Sequence, residues 1–333
     1  MKQEGEILST RQRDGAGSRL IGLARKTDCF LSGDHPEVLL SQNDFDTARS
    51  VFVNMRCPLK SLRLLMEALP KFRAPKVDVV LAGEDWTFPN GVDIRFDDGG
   101  WYPRPLVEHP KLGRLFVENL DAYLGPTVES LPTGLVGNWW HDGDSPHGGA
   151  LTFKYFRRHE NLNPSRLVRV TNWNKARLPR KHWEDRNLLN DLSKTDSWRS
   201  FIAPPLHGVN PAKEETHVPY DQYLAHASTY WFMLCGKGGG LDLNPKLFEA
   251  LLVGTIPIIK RCPPLTDVYE DWPVAIVDEW DEGAITYDVL CAWQKQYAKH
   301  FTDTAKRETV LRRLSLDYWA ERITRCEDKH RLN

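Results

Sequence analysis

The segment 230–260 limits the possible folds of this chain more than any other part of its sequence. It begins with the apolar run 230–235, which has the length and composition of a buried strand, and continues into the glycine-rich turn 236–240. Apolar residues then recur at helical spacing as far as Gly254, and the β-branched run 255–259 follows. This order of strand, glycine turn, helix and strand predicts a right-handed βαβ unit.

The start of the predicted helix has the features of an anion site. Asn244 supplies a side chain that can cap the helix, and Pro245 suits the first helical position. Free N–H groups and the positive end of the helix dipole favour a phosphate there, beside Lys246. Glu249 lies three residues further on the same face, where its acceptor oxygens could take both hydroxyls of a ribose. Phosphate beside ribose describes a nucleotide, although Lys246 and Glu249 could equally form an ordinary ion pair.

The segment 219–282 resembles the donor-binding region of exostosin-like glycosyltransferases. That family has an apolar strand, a G-x-G-x-D turn, a basic residue three positions before a glutamate, and the pattern E-A-L-x-x-G-x-I-P-I. The positions that match here are Gly238, Gly240, Asp242, Lys246, Glu249, Ala250, Leu251, Gly254, Ile256, Pro257 and Ile258. Lys246 replaces the usual arginine, and a lysine binds phosphate as a point charge without the bidentate fork of a guanidinium.

The resemblance implies a glycosyltransferase of GT-B type, an α/β fold in which two Rossmann-like parallel-sheet domains face each other across a cleft. It implies an inverting enzyme that takes a UDP-sugar as donor and a hydroxyl of an oligosaccharide or glycoprotein glycan as acceptor. Xylose, galactose, glucuronic acid and arabinose are all open as the sugar. The compact chain is also similar to glycosyltransferases encoded by large algal viruses. The expected nucleotide-sugar site includes Gly238, Gly239, Gly240, Asp242, Asn244, Lys246 and Glu249.

The chain is predicted to form two α/β domains because strands and helices alternate in both halves. The predicted strands are 28–31, 50–53, 77–82, 115–119, 127–135, 166–171, 201–203, 230–235, 255–259 and 274–277. The predicted helices are 59–69, 183–192, 220–227, 245–254, 287–299 and one long helix over 306–323. The predicted parts are an N-terminal acceptor-side domain (1–145), a linker (146–165), a C-terminal nucleotide-sugar domain (166–300) and a C-terminal helix (301–333). In the GT-B fold such a last helix often crosses back to the N-terminal domain.

Transfer from a nucleotide sugar requires a stabilised diphosphate and a base that deprotonates the acceptor hydroxyl. Lys237 and Lys246 are expected to neutralise the diphosphate. Asn172, Asn174 and Arg177 follow another predicted strand and could reach the same phosphates. Ligands of parallel sheets bind beyond the carboxyl ends of the strands, so these residues are expected to meet in the cleft.

The base is expected from the facing domain, where Glu84 and Asp85 come directly after the predicted strand 77–82. Asp85 is the preferred residue of the two, and Trp86 beside it is expected to form a platform for a sugar ring. A solvated acidic pair in a turn is the alternative interpretation. Second candidates near the predicted domain junction are His141, which could also contact the acceptor, Asp142 and His147.

A metal-dependent GT-A transferase is a weaker interpretation of the sequence. Asp142 and Asp144 have the D-x-D spacing of that class, but no apolar strand leads into them. Asp97 and Asp98 have the same weakness. The sequence therefore predicts no metal site and no cofactor besides the donor substrate.

Two further alternatives come from other functional classes. A nicotinamide-dependent dehydrogenase needs G-x-G-x-x-G after a strand and an acid after the next strand, whereas Lys260 and Arg261 follow the next strand here. A glycan-binding pseudoenzyme with the same fold is the non-enzymatic alternative, and it would release no nucleoside diphosphate.

Charge and cysteine content favour a soluble intracellular protein. With 44 basic against 45 acidic residues, no global field favours nucleic acid or an anionic membrane. Six scattered cysteines without C-x-x-C pairs predict free thiols in a reducing compartment. No apolar run approaches the ~20 residues that span a bilayer, and the polar N-terminus is not a secretory signal. The expected location is the cytoplasm, or the Golgi lumen if the chain is a trimmed catalytic region.

Overall fold

The computed structural model describes residues 22–34, 40–91, 104–135, 167–168, 184–202, 220–238, 241 and 245–324. Over these residues the protein is a mixed α/β structure built on two parallel sheets, of five and four strands. The βαβ unit predicted at 230–260 is present, and the predicted alternation of strands with helices is confirmed in both halves.

The first sheet contains five parallel strands that pair in the order of the sequence. These strands are β1 (Cys29–Ser32), β2 (Ser50–Asn54), β3 (Val77–Ala82), β4 (Leu112–Val117) and β5 (Val128–Ser130). The helices of this half are α1 (Gln42–Thr47), α2 (Pro58–Ala68) and α3 (Arg104–Val107), with 3₁₀ helices at Gly22–Lys26 and Leu69–Lys71. Because the strands all run the same way, their carboxyl ends lie along one edge of the sheet.

Both faces of the first sheet are buried, which explains why its strands read as continuous apolar runs. One face carries a row of side chains that lie opposite one another across four strands, and we call it the aromatic row. It consists of Phe30, Phe52, Val80 and Phe116. Alternate residues of the same strands point to the other face and form a separate core with α2, which contributes Leu62.

The second sheet contains four parallel strands in the order β6-β7-β8-β9. They are β6 (Leu167–Val168), β7 (Phe232–Leu234), β8 (Ile256–Lys260) and β9 (Ala275–Val277). The helices are α4 (Glu184–Leu192), α5 (Asp196–Arg199), α6 (Tyr220–Ala227), α7 (Lys246–Val253), α8 (Tyr287–Tyr297), α9 (Lys299–Thr302), α10 (Thr304–Leu314) and α11 (Leu316–Thr324), with a 3₁₀ helix at Leu265–Tyr269. β7 and β8 pair directly, so α7 is the crossover helix of a parallel βαβ unit.

Helix α7 is buried throughout 247–253 and carries a charged contact at its carboxyl end. It ends at Gly254, whose φ of 83° lies in the left-handed region that favours glycine. The guanidinium of Arg307, on α10, donates hydrogen bonds to the carbonyl oxygens of Leu251 at 2.6 Å and Leu252 at 2.7 Å. Arg307 is only 3% exposed, and burial lowers its pKa to about 9, which leaves it charged at neutral pH. This buried cation therefore satisfies the carbonyls at the negative end of the helix dipole.

The last helix, α11, packs against the first half of the chain. Arg114 of β4 donates to the carbonyl oxygen of Arg322 on α11 at 2.7 Å, and Arg322 donates to the carboxylate of Glu129 on β5 at 2.6 Å. The Arg114 guanidinium also lies 4.8 Å from the centre of the Phe116 ring, and Trp319 of α11 belongs to the same buried core as that ring. Helix α11 therefore covers the face of the first sheet that carries the aromatic row.

Two predicted elements differ from the structure. The predicted helix over 306–323 is broken at Ser315, whose extended backbone separates α10 from α11. The Ser315 hydroxyl accepts a hydrogen bond from the N–H of Tyr318 at 3.2 Å, as a capping residue does at the start of a new helix. The predicted strand at 201–203 is not formed by its two described residues, because both donate their N–H groups to the carbonyl of Trp198 in a turn after α5.

The prediction of free thiols is confirmed for the cysteines that the structure describes. These are Cys29, Cys57, Cys235, Cys262 and Cys291. No helix within the described residues combines the length and the apolar composition that crossing a membrane requires.

Replacing Arg307 with methionine is expected to lower the free energy of unfolding by about 2 to 4 kcal/mol, because two buried carbonyls lose their donors. Urea unfolding followed by circular dichroism measures the change. Arg312→Met on the same helix is the matched control, since Arg312 is exposed and its ion pair with Glu321 spans 3.8 Å. Equal midpoints for the two variants would contradict the capping role.

Candidate functional site

The first part of the candidate site is the glycine turn at the carboxyl end of β7. Among the predicted residues of this turn, Lys237 is partly exposed and Gly238 is buried. A β-carbon on Gly236 would lie 3.0 Å from Cδ1 of Leu189 on α4, so the turn and α4 are in close contact. Arg186, on the same helix, donates a hydrogen bond from Nε to the carbonyl oxygen of Lys237 at 2.8 Å. Helix α4 therefore forms one wall of the turn.

The second part of the site is the first turn of α7. Nζ of Lys246 donates a hydrogen bond to Oε2 of Glu249 at 2.9 Å and lies 4.4 Å from the centre of the Tyr223 ring. Glu249 is only 4% exposed. The ordinary ion pair that the sequence also allowed is thus present, and it joins a partly exposed lysine to a buried carboxylate at the mouth of the helix. A carboxylate buried this deeply depends on its cationic partner.

Cys235, the residue before the glycine turn, does not add a nucleophile to the site. Burial raises the pKa of its thiol, and the charge of Glu249 acts in the same direction against the smaller effect of Lys246. The thiolate is the reactive form of cysteine, so this side chain is inert at neutral pH. Near the glycine turn, the Lys246–Glu249 pair and not Cys235 is therefore available to bind a ligand.

The carboxyl end of β8 adds another charged group. Lys260 forms an ion pair with Glu279, which follows β9. Burial lowers the pKa of Lys260, but the hydrogen bond to Glu279 and the charge of Asp185 on α4 outweigh this effect, and the net shift is upward. Cβ of Asp185 also lies 3.9 Å from the position that a β-carbon of Gly236 would take. Asp185 thus lies beside the glycine turn and its charge interacts with that of Lys260, and the sequence patterns did not identify it.

The turn after β3 carries the two carboxylates predicted as candidate bases, Glu84 and Asp85. Two residues that follow β4 hold this turn. The N–H of Gly83 donates to the carboxylate of Glu118 at 2.6 Å, and the amide of Asn119 donates to the carbonyl oxygen of Glu84 at 3.0 Å. Gly83 has a φ of 99°, which favours glycine. The backbone beneath both carboxylates is therefore held by the end of the neighbouring strand.

Charged and polar residues that the sequence patterns missed lie at the same edge. The guanidinium of Arg56, after β2, lies 4.0 Å from the carboxylate of Glu84 and 3.8 Å from that of Asp34, after β1. Asn54, the last residue of β2, donates from its amide to Asp34 at 3.0 Å. The side chain of Arg56 is 52% exposed. A polar residue directly after an apolar strand is the signal that could have found all three.

The structure contradicts the predicted role of Trp86 as a platform for a sugar. Trp86 is only 5% exposed and belongs to the core of the first sheet. Its ring lies 6.3 Å from that of Phe88, and a β-carbon on Gly91 would approach it to 3.1 Å. An indole enclosed in this way has little free surface for stacking, because neighbouring groups already cover it.

Many predicted site residues fall outside the part of the chain that the structure describes, and their roles stay predictions. These residues are Asp97, Asp98, His141, Asp142, Asp144, His147, Asn172, Asn174, Arg177, Gly239, Gly240, Asp242 and Asn244. Among the described residues, no group of three or more His, Cys, Asp or Glu side chains is arranged to hold a metal ion.

The two sheets contact each other through segments at the ends of their strands. The hydroxyl of Ser130, the last residue of β5, donates to the carbonyl oxygen of Pro264 at 3.0 Å, in the segment after β8. Tyr123, between β4 and β5, donates to the carboxylate of Asp267 in the 3₁₀ helix that follows. The carboxyl end of β5 is therefore in contact with the segment that leaves the carboxyl end of β8.

Comparison with known proteins adds little to this geometry. No protein-family model matches the chain, and no curated protein matches it. A solved structure described as "Crystal structure of GtfA/B complex" is similar with a TM-score of 0.35 and 13% sequence identity, over 82% of this chain and 55% of that chain. The present chain thus spans just over half the length of that protein. A similarity this low supports no conclusion about function, so the resemblance to exostosin-like glycosyltransferases stays a prediction.

Replacing Lys246 with methionine is expected to lower the free energy of unfolding by about 1 to 3 kcal/mol, since Glu249 then stays buried without its cation. Urea unfolding in the absence of ligand measures the change. Lys194→Met is the control, because Lys194 has the same i,i+3 spacing from Asp191 at 3.5 Å on exposed surface. Glu249→Gln is expected to cost less than Lys246→Met, because it leaves no buried charge behind, and the reverse order would contradict this account of the pair.

Proposed function

We propose that this protein is an inverting glycosyltransferase that moves a glycosyl group from a UDP-sugar to a hydroxyl of a glycan without a metal ion. The observation that carries the proposal is the ion pair of Lys246 with the buried Glu249 at the mouth of α7, directly after the glycine turn of a parallel βαβ unit. This is the place where a parallel sheet binds an anionic ligand, because strand ends and a helix N-terminus converge there.

Each group of this pair has a role in the proposed donor site. The ammonium of Lys246 and the first N–H groups of α7 would balance the charge of a diphosphate. The carboxylate of Glu249 would accept hydrogen bonds from the ribose hydroxyls. The contact of Lys246 with the Tyr223 ring limits where the ammonium can lie, and this supports a fixed phosphate position.

The base in the proposed reaction is one of the two carboxylates after β3. Glu84 is taken as the base, because hydrogen bonds hold the backbone on both sides of its Cα and the Arg56 guanidinium lies beside its carboxylate. The base would take the proton of the acceptor hydroxyl while the oxygen attacks the anomeric carbon. The half-exposed guanidinium of Arg56 at the same edge would contact the acceptor.

The proposal of inversion rests on the relation between the two sheets. The contact of Ser130 with the segment after β8 supports an arrangement in which the strand ends of the two sheets face a shared cleft. A base across that cleft from the diphosphate would direct the acceptor to the opposite face of the sugar, in a single displacement. A diphosphate already neutralised by Lys246 and the helix N-terminus does not require an ion as electrophile.

Titration calorimetry with UDP and with uridine tests the donor site. The parent is expected to bind UDP, and Lys246→Met is expected to weaken UDP binding about tenfold more than uridine binding, because the lost charge faces the diphosphate. Glu249→Gln is expected to weaken both ligands, because both contain the ribose. The Lys194→Met variant serves again as the control. A parent protein that binds no UDP, or a Glu249→Gln variant with the affinity of the parent, would contradict the assignment.

Release of UDP from a UDP-sugar in the presence of a glycan acceptor tests the catalytic step. Glu84→Gln is expected to lower turnover by about 10² to 10⁴ with little change in UDP affinity, as expected for a lost general base. Asp85→Asn is compared directly, and Glu108→Gln on exposed surface is the control.

Four outcomes would overturn parts of the proposal. Full loss of turnover in Asp85→Asn but not in Glu84→Gln would move the base to Asp85. Activity lost in EDTA and restored by manganese would support the metal-dependent alternative at Asp142 and Asp144. An NMR spectrum that shows an α-linked product from an α-linked donor would exclude the single displacement. Binding of glycan without any release of UDP would support the pseudoenzyme.

A further inference from the structure

Asp185, in the first turn of α4, has an unusual environment for a carboxylate. The residue is only 9% exposed, and among the described residues its Oδ2 atom has no hydrogen-bond partner. A buried polar atom normally finds a partner, because burial without one costs free energy. The unsatisfied oxygen therefore requires an explanation in terms of a group that the described residues do not supply.

The position of Asp185 shows which ligand group could reach it. Its Cβ lies 3.9 Å from the position that a β-carbon of Gly236 would take, at the start of the glycine turn. Arg186, the next residue, is bonded to the carbonyl oxygen of Lys237 in the same turn. The diphosphate of the proposed donor lies at this turn, and a glycosyl group is bonded directly to that diphosphate. The sugar must therefore lie close to Asp185.

The chemistry of a carboxylate further limits which ligand groups Asp185 can bind. An ionised carboxylate only accepts hydrogen bonds, so its ligand must carry an O–H or N–H group. The phosphates of the donor carry no such proton at neutral pH and cannot donate a hydrogen bond to it. The hydroxyls of a neutral sugar are the suitable donors beside the turn. A uronic acid would bring a second carboxylate to the site, and repulsion would disfavour it.

We propose that Asp185 binds a hydroxyl of the transferred glycosyl group and thereby selects a neutral sugar over a uronic acid. This inference rests on the proposed UDP-sugar site at the glycine turn. Rotation of the carboxylate about χ2, which is a broad torsion in aspartate, would bring Oδ2 toward the ligand. Lys260, which pairs with Glu279, adds a positive charge that interacts favourably with the charge of Asp185.

A structural role for Asp185 is the competing explanation. A carboxylate in the first turn of α4 interacts favourably with the positive end of the helix dipole, and its charge is also near Lys260. Either effect would stabilise the folded chain without ligand. This explanation predicts that removal of the carboxylate lowers stability and leaves the preference among sugars unchanged.

The test is titration calorimetry of the full chain with UDP, with UDP-xylose, UDP-glucose and UDP-galactose as neutral donors, and with UDP-glucuronate. The parent is expected to bind at least one neutral UDP-sugar about tenfold more tightly than UDP. Asp185→Ala is expected to bring the ratio of neutral UDP-sugar affinity to UDP affinity close to one, while the UDP affinity itself stays within about twofold of the parent value. Asp185→Asn, which keeps the side-chain volume, is expected to bind UDP-glucuronate more tightly than the parent.

Asp191→Ala provides the matched control, because Asp191 lies on the exposed side of the same helix and its side chain is paired with Lys194. Its affinities are expected to equal those of the parent. Urea unfolding is recorded for each variant, and the midpoint of Asp185→Asn is expected to be equal to or above that of the parent.

The outcomes separate the two proposals. In one outcome the parent binds UDP while the ratio of neutral UDP-sugar affinity to UDP affinity is the same in the parent and in both Asp185 variants. In that case the proposed role of Asp185 is wrong and the nucleotide site stands. A lowered unfolding midpoint with an unchanged ratio of affinities would show that Asp185 stabilises the start of α4 and does not select the sugar. If the parent binds neither UDP nor any UDP-sugar, the donor site and the role of Asp185 both fail.

Discussion

Helix α7 is held between two charged contacts, and the rest of the second half is arranged around it. At its carboxyl end the Arg307 guanidinium neutralises the last carbonyls, and at its amino end Lys246 and Glu249 pair beside the glycine turn. The body of the helix is apolar on every side, so it can be buried only if both polar ends are satisfied. The same arrangement leaves the positive end of the dipole directed at the turn, where an anionic ligand is favoured.

The first sheet depends on a contact that is distant in sequence. Its aromatic row, from Phe30 to Phe116, needs a cover, and α11 supplies it from the end of the chain. Arg114 and Arg322 fix the helix on that face through hydrogen bonds that span about two hundred residues of sequence. The geometry between the two sheets thus rests on α11 as well as on the contact of Ser130 with Pro264.

The polar chemistry of the molecule is concentrated at the carboxyl edges of both sheets. On the first sheet, Glu84 is held beside Arg56, and on the second sheet the Lys246–Glu249 pair lies across the glycine turn from the wall that α4 forms. Parallel strands explain this distribution, because their interiors are apolar and their ends meet at one edge where loops can carry charge. The proposed function therefore depends on residues at these two edges and not on the fold as such.

The amino-acid sequence by itself determined the local elements: the strands of both sheets, the start of α7 near Pro245 and its end at Gly254, and the presence of Lys246 and Glu249 on one face. These follow from periodicity and from the backbone preferences of proline and glycine, which act over a few residues. Only the tertiary structure decided that Trp86 is buried, that Ser315 interrupts the last helix, and which distant residues meet. The ion pair of Arg56 with Glu84, the position of Asp185 beside the glycine turn and the hydrogen bonds of Arg307 to α7 join residues that no local pattern connects, because long-range packing alone brings them together.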